Sequence, residues 1–271
     1  MNQPNRSYLF EYAGRKFSSA DLVRTFKAVG IKPGDKLFVH SDLRSFGKIN
    51  PRISQKEYLG AFVEALTGLV GKRGTIIMPT FSYSFCRGEI YDQRKTPSTV
   101  GSLTEYFRQL PGVARTIDPI FSVAIWGAKQ KFFQAVGHDC FGSRSIFQKI
   151  RDTKGNFLFL GETFALTYLH FIEQDFGVPY RWLKKFTGQI RLKGGLKKFA
   201  FDYNIRPLDG TVNYETEKIA AFLERAAGLK KKPLGYSKVR VVGAREAYRA
   251  IVKKLKIDPR FLIKKRARCT N

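Results

Sequence analysis

Two short apolar segments, each followed at once by a hydroxyl-bearing residue, constrain the fold more than any other feature of this sequence. Residues 36–40 (KLFVH) lead into Ser41, and residues 74–79 (GTIIMP) lead into Thr80. Between them, a capping box at residues 54–57 opens a segment with helical periodicity. Strand, helix and strand in this order are typical of an α/β sheet whose site lies at the strand ends. We therefore predict an α/β fold.

A third stretch adds a candidate base to this pattern. Residues 157–160 form an apolar run that predicts a buried strand, and residues 167–176 have helical periodicity. His170 and Glu173, three residues apart, share one face of that helix, where the carboxylate could orient the imidazole and stabilise its protonated form. This is the chemistry of an oriented general base. On spacing alone, a core histidine paired with a helical neighbour is the favoured alternative.

Two loops carry features suited to binding an anion. The loop at residues 41–47 follows the first strand, and its backbone amides together with Arg44 could hold a phosphate. The turn at residues 96–101 precedes a predicted helix over residues 103–110. We expect Ser98 or Thr99 to cap that helix, which would leave an amide-rich helix start free for an anion.

The composition describes a globular protein that lacks secretory features. Of the 271 residues 43% are hydrophobic, including 24 Phe, which is enough for a substantial core. We find neither a signal peptide nor a membrane span, and we expect a cytoplasmic protein. Cys86, Cys140 and Cys269 are widely spaced, which favours free thiols over disulfides or a zinc site, and we expect no metal.

The charge distribution is uneven and points to anionic partners. The formal net charge is +27, and residues 228–271 contain 15 basic and 2 acidic residues. Such a field favours a phosphorylated cofactor, a nucleotide-linked substrate, nucleic acid or an anionic membrane surface, although a solvated basic surface is the alternative. Basic and aromatic residues alternate at residues 180–186, which would suit a non-enzymatic binder of nucleic acid or membrane. Since we find no nucleic-acid-binding motif, we expect no specific nucleic acid partner.

The second half of the chain, residues 181–271, is more basic than the first, and we expect the two halves to pack as one domain over residues 1–271. The pattern predicts a hairpin at residues 184–201, a helix at 214–227, a strand at 239–242 and a helix at 244–255. No Pro-, Ser- or Gly-rich linker separates the halves.

The order of these motifs resembles the aminoglycoside 3-N-acetyltransferase family, which also has members that act on other amines. The resemblance covers almost the whole chain. The matching segments are VHSDLRSFG (39–47), GTIIMPTFS (74–82), STVGSLTEYFRQLPGVARTIDPIFSVAIWG (98–127), FGSRS (141–145), FLFLGETFALTYLHFIEQDFGVPYR (157–181) and LGYSKVRVVGAR (234–245).

The resemblance implies a mixed α/β/α sandwich, distinct from the common pyrophosphate-loop acetyltransferase fold, and acetyl-CoA as co-substrate. His170 and Glu173 match the family's H-x-x-E pattern, in which the histidine deprotonates the acceptor amine for direct attack on the thioester. The positions matching the CoA site are His40, Ser41, Asp42, Leu43, Arg44, Ser45, Thr80, Ser98, Thr99, Val100 and Gly101. Donors for the oxyanion are expected at Thr80, from its hydroxyl or from nearby amides.

The residues expected to contact the acceptor are Phe81, Asp118, Ser145, Tyr180 and Arg181. Two positions depart from the family pattern: Asp118 stands where many members have histidine, and Ile146 where they often have proline. Asp118 could bind the acceptor or cap a turn.

The charge bears on the acceptor, because aminoglycosides are polycations and a chain of net charge +27 would steer them away. We therefore expect an anionic small-molecule acceptor, such as a nucleotide- or lipid-linked amino sugar of surface glycan biosynthesis. The same charge would allow peripheral contact with an anionic membrane. An aminoglycoside acetyltransferase that confers resistance is the alternative.

Overall fold

The computed structural model describes residues 8–264. Over these residues the strands are β1 (Phe10–Tyr12), β2 (Arg15–Phe17), β3 (Lys36–Ser41), β4 (Lys48–Ile49), β5 (Thr75–Pro79), β6 (Tyr91–Asp92), β7 (Ala114–Arg115), β8 (Val123–Gly127), β9 (Asn156–Leu160), β10 (Trp182–Leu192), β11 (Gly195–Ile205), β12 (Lys230–Leu234) and β13 (Ser237–Gly243). The helices are α1 (Ser19–Ala28), α2 (Gln55–Val70), α3 (Ser102–Arg108), α4 (Gln130–Gln134), α5 (Ile146–Asp152), α6 (Tyr168–Phe176), α7 (Thr216–Ala227) and α8 (Ala244–Leu255).

A seven-stranded mixed sheet in the described chain organises the molecule, with the order β12-β13-β9-β3-β5-β8-β7. Strand β3 lies at its centre and runs parallel to both β9 and β5. The outer pairs are antiparallel, including β9 with β13 and β5 with β8. Since β12 and β13 extend the sheet that β3 and β5 begin, both halves of the sequence contribute to it.

Both faces of this sheet are covered, which explains why its strands are continuous apolar runs. Along β3, Leu37 and Val39 enter the core beneath α1, α2 and α3, whereas Phe38 enters the core beneath α4 to α8. The same alternation occurs along β9, where Leu158 faces the first layer and Phe159 the second. The predicted α/β/α sandwich is confirmed.

Local signals located several elements correctly. The capping box that opens α2 is formed, since the Ser54 hydroxyl accepts the Glu57 amide at 3.1 Å and the Glu57 carboxylate accepts the Ser54 amide at 2.7 Å. Helix α8 spans the predicted residues. The start of α3 was predicted wrongly: it is preceded by Gly101, whose φ of 133° suits glycine, so neither Ser98 nor Thr99 caps it.

The predicted hairpin is formed by β10 and β11, eleven residues each, and β6 joins it to make a second sheet. A short antiparallel bridge between Tyr214 and Ile263 lies near the base of this hairpin. The hairpin and the bridge bring residues from the second half of the chain against α6.

Among residues 8–264 we find no helix that combines the length and apolar character required to cross a membrane. Cys86 is exposed and Cys140 buried, and both are free thiols, whereas Cys269 and the rest of the basic tail lie outside the described residues.

Candidate active site

Helix α6 places His170 and Glu173 on its inward face. The Glu173 side chain is fully buried, and that of His170 is 15% exposed. The imidazole lies among aromatic rings, with centroid distances of 5.1 Å to Phe141, 6.4 Å to Phe121 and 6.5 Å to Tyr203. Burial lowers the pKa of His170, and the contact to Glu173 opposes this only in part. The ring is therefore neutral near pH 7, as a general base must be.

The two side chains of the H-x-x-E pattern do not form a hydrogen bond with each other. His170 Nδ1 and Glu173 Oε2 are 3.6 Å apart, beyond hydrogen-bond distance. The Tyr214 hydroxyl lies between them, 3.1 Å from His170 Nδ1 and hydrogen-bonded to Glu173 Oε2. The expected direct orientation of the imidazole by the carboxylate is thus corrected, since a third residue joins the pair.

Tyr180 and Arg181 hold the carboxylate. The Tyr180 hydroxyl donates to Glu173 Oε1 at 2.8 Å, and Arg181 Nε forms an ion pair with Glu173 Oε2 at 2.6 Å. Burial disfavours the charged form of Glu173, but the contacts to His170 and Arg181 outweigh it and keep the pKa below its usual value. Both residues are buried and support the ionised carboxylate, and their contact with an acceptor stays a prediction.

Arg181 also reaches the hairpin and the bridge segment. Its Nη1 donates to the backbone carbonyl of Asn204 in β11 at 3.0 Å, and its Nη2 donates to the Tyr214 hydroxyl at 2.7 Å. The guanidinium therefore links the carboxylate, the hairpin and Tyr214, which fixes these elements relative to α6.

A cavity of about 320 Å³ lies at the carboxyl end of β3. It brings together five of the residues predicted for the CoA site with residues of α2, α3 and β4. Its lining is Ser41, Asp42, Leu43, Arg44, Ile49, Gln55, Tyr58, Leu59, Gly101, Ser102 and Leu103. The loop after β3 and the turn before α3, far apart in sequence, thus meet in one cleft. The α2 side chains were not predicted for the cleft, because their sequence shows only helical periodicity.

The loop after β3 is fastened to the loop after β9. The Ser45 hydroxyl donates to the Asp42 carbonyl at 2.7 Å and accepts the Glu162 amide at 2.9 Å. Asp42 Oδ2 accepts the Thr163 hydroxyl at 3.1 Å. Ser45 therefore shapes the cleft by joining the two loops.

Thr80, predicted for the CoA site, lies in a buried environment. It is fully buried, its amide donates to the Ser122 carbonyl at 2.8 Å, and Arg115 Nε donates to its hydroxyl at 3.1 Å. Because β8 runs antiparallel beside β5, the chain leading into β8 covers this strand end. Neither the amide nor the hydroxyl of Thr80 is free for CoA or an oxyanion.

The remaining residues of the expected CoA site support the loops. The Ser98 hydroxyl contacts that of Thr104 at 3.1 Å and accepts the Val100 amide at 3.3 Å, and the Thr99 hydroxyl donates to the Phe81 carbonyl at 3.0 Å. Of this turn, Gly101 lines the cleft. His40 is buried within β3 and stacks on Phe159 at 5.2 Å.

Three of the expected acceptor contacts have structural roles. Asp118 is buried, and its Oδ1 accepts the amides of Ile120 and Phe121, each at 2.8 Å, so it caps a turn. Ser145 is the N-cap of α5 and accepts the Gln148 amide at 3.2 Å. Phe81 is buried and packs edge-on against Phe121 with centroids 5.1 Å apart. The contact of these three residues with an acceptor stays a prediction.

Tyr214 was not predicted as a site residue, because in the sequence it is only the first residue of a predicted helix. Tyr214 is 44 positions from His170, so no periodicity links the two. Arg206 was also missed, although its charge, like that of Arg181, acts on His170 and lowers its pKa beyond the effect of burial. Both residues reach the site through tertiary structure alone.

Comparison with known proteins identifies the family. The model of the aminoglycoside 3-N-acetyltransferase family matches residues 38–256. The chain belongs to this family. Aminoglycoside N(3)-acetyltransferase IV from Salmonella sp. is 32% identical over 174 residues, which is 63% of this chain and 62% of the relative. The match thus spans less than two thirds of that relative.

Solved structures of aminoglycoside acetyltransferases share the fold. AAC(3)-IVa, solved as the apoenzyme, has a TM-score of 0.74 and 23% identity, covering 97% of this chain and 94% of the other. AAC-IIIb, solved as a binary complex with CoASH, has a TM-score of 0.76 and 21% identity, covering 88% of this chain and 96% of the other. As a family member, the present chain has the fold expected from its motifs.

Proposed function

We propose that this family member is an acetyl-CoA-dependent N-acetyltransferase in which His170 is the general base. The observation that carries the proposal is a buried, neutral imidazole held in a hydrogen-bond network with an ionised carboxylate. Family membership and the CoASH complex of a structural neighbour support acetyl-CoA as the donor.

The proposed mechanism is a direct transfer within a ternary complex. Acetyl-CoA supplies an acetyl group activated as a thioester. His170 takes the proton that the acceptor nitrogen loses as that nitrogen bonds to the acetyl carbon. As the carbon–sulfur bond breaks, His170 returns a proton to the sulfur. Glu173 stabilises the imidazolium between these steps. General base catalysis of this kind contributes about 10²-fold to 10⁴-fold.

The cleft is the proposed donor site. Arg44 lines it, is exposed and carries a positive charge suited to the phosphates of CoA. Ser41 to Leu43 form the adjacent wall, next to the end of β3. Ser45 and Thr163 would keep this wall in place through the bonds that join the two loops.

For the acceptor we propose an amine that carries a phosphate or diphosphate group, such as a nucleotide- or lipid-linked amino sugar of surface glycan biosynthesis. The net charge of +27 favours it, and so does Arg206, whose positive charge acts on His170. Glu173, the carboxylate beside the base, is neutralised by Arg181. This balance of charge supports an anionic acceptor. Peripheral contact with an anionic membrane would suit the lipid-linked form.

A second candidate is acetylation of an aminoglycoside, which the names of the family and of the Salmonella relative favour. The two candidates share the base and the donor and differ only in the acceptor.

The test is a thiol-release assay of wild type and His170→Ala with acetyl-CoA and a panel of amines. We expect turnover with amino-sugar nucleotides, little with kanamycin or gentamicin, and a loss of about 10²-fold to 10⁴-fold in kcat on removal of the imidazole. An unaltered rate in His170→Ala would contradict the base. Turnover of the aminoglycosides alone would contradict the proposed acceptor. Salt-sensitive nucleic-acid binding without thiol release would instead favour a non-enzymatic binder.

A further inference from the structure

The Tyr214 hydroxyl makes three polar contacts at the candidate site. It lies 3.1 Å from His170 Nδ1, is hydrogen-bonded to Glu173 Oε2 and is 2.7 Å from Arg181 Nη2. A tyrosine hydroxyl has one proton to donate and two lone pairs that accept. Three partners therefore use its full hydrogen-bonding capacity. Once two of them are known to be a donor or an acceptor, the role of the third is determined.

Two of the three roles are fixed by chemistry. A guanidinium can only donate, so Arg181 occupies one lone pair of the hydroxyl oxygen. An ionised carboxylate can only accept, so Glu173 takes the hydroxyl proton. Glu173 is ionised because its contacts hold its pKa below the usual value, and burial raises the pKa of Tyr214 well above 10, so the phenol keeps its proton. One lone pair is then left for His170.

We propose that Tyr214 is a positioning residue that fixes the tautomer of His170. The remaining lone pair of the hydroxyl can only accept a hydrogen bond from an N–H group. Nδ1 therefore carries the proton of the neutral imidazole. The free lone pair is then on Nε2, which is the atom that takes the proton of the acceptor amine. Glu173 acts on His170 through Tyr214, since the direct distance of 3.6 Å is too long for a hydrogen bond. This role rests on the proposed function, in which His170 is the base.

The backbone on both sides of Tyr214 is held by residues 262–264. The Glu215 amide donates to the Leu262 carbonyl at 3.2 Å, and the Lys264 amide donates to the Asn213 carbonyl at 2.8 Å. Leu262 and Ile263 are buried, so this bridge is anchored in the core. The hydroxyl is therefore presented to α6 by a fixed backbone, as the positioning of an imidazole requires.

The test uses Tyr214→Phe, which removes only the hydroxyl, and ¹⁵N-labelled histidine. The chain has three histidines, so His170→Ala assigns the resonances of this ring. In the free wild-type protein we expect a protonated Nδ1 and an unprotonated Nε2 for His170. In Tyr214→Phe we expect the tautomers to mix, and kcat to fall about tenfold while KM for acetyl-CoA changes less than about twofold.

The matched control is Tyr180→Phe, because Tyr180 donates to the same carboxylate through Oε1. We expect this variant to keep the wild-type tautomer. A protonated Nε2 in wild type, an unchanged tautomer in Tyr214→Phe, or the same tautomer change in Tyr180→Phe would each overturn the proposal. Should Tyr214→Phe fail to fold, the wild-type spectrum still decides which nitrogen carries the proton. The spectrum needs no substrate, so a failure of the proposed acetyl transfer would be seen separately, as absent thiol release.

Discussion

His40 is a buried histidine whose Nε2 has no hydrogen-bond partner in the described chain. It lies between aromatic rings, 5.1 Å from Phe38 and 5.2 Å from Phe159. Burial lowers its pKa to about 3, because an imidazolium cannot be solvated there. The sequence presents His40 as a site residue at a strand end, yet its environment is that of a core ring.

This environment predicts a pH dependence of stability. Below pH 6.5 the unfolded chain binds a proton at His40 that the folded chain does not, so the free energy of unfolding falls as the pH is lowered. The loss between pH 6.5 and 5 is on the order of 2 kcal/mol. His40→Phe keeps an aromatic ring and removes the titrating group. Its free energy of unfolding should therefore fall less over this pH range. Urea unfolding of both proteins from pH 7 to pH 5 measures the difference. The same fall in the free energy of unfolding for wild type and His40→Phe would contradict the prediction.

At the scale of the elements, the loops after β3 and β9 form one unit at the edge of the sheet. Gly161 has a φ of +113°, and a Cβ on it would lie 2.3 Å from the Asp42 carbonyl oxygen. Gly177, which ends α6, has a φ of +78°, but a Cβ there would meet nothing within 4 Å. Substitutions at these two glycines therefore distinguish backbone strain at positive φ from a steric clash between the two loops.

Gly161→Ala should therefore lower the free energy of unfolding more than Gly177→Ala does. Both acquire the strain of a side chain at positive φ, about 1 kcal/mol, but only Gly161→Ala forces the two loops apart. We expect Gly161→Ala to raise KM for acetyl-CoA about fivefold, whereas the KM of Gly177→Ala should stay near the wild-type value. Urea unfolding and steady-state kinetics measure both effects. Equal KM values in the two variants would contradict a role of the joined loops in donor binding.

At the scale of the whole molecule, the net charge of +27 surrounds a candidate site for a phosphorylated donor. Salt screens such a field, with a Debye length of about 10 Å at 0.1 M and about 3 Å at 1 M. Steering of an anionic donor should therefore weaken as salt is added.

We expect KM for acetyl-CoA to rise about tenfold between roughly 0.05 M and 0.5 M salt. S-acetyl-pantetheine, which has the same thioester and no phosphate, is the matched control and should change little. Initial rates of thiol release with each donor measure this. The same salt dependence for both donors would show that the basic surface does not act on the phosphates.

The sequence by itself determined the elements whose causes are local. The capping box at Ser54, the apolar run of β9 and the periodicity of α8 depend on neighbours within a few residues, so their positions were predictable. The same holds for the loop after β3, whose residues do line the cleft, and for the placement of His170 and Glu173 on one helix face.

Only the tertiary structure decided which side chains are free and which partners they meet. Thr80 ends a strand just as Ser41 does, but β8 covers one end and leaves the other open. Tyr214 reaches His170 because a bridge to Ile263 holds it there, a contact that no spacing in the sequence encodes. Sequence patterns report how a segment folds on its own neighbours, whereas the hydrogen bonds around His170 depend on how separate segments pack.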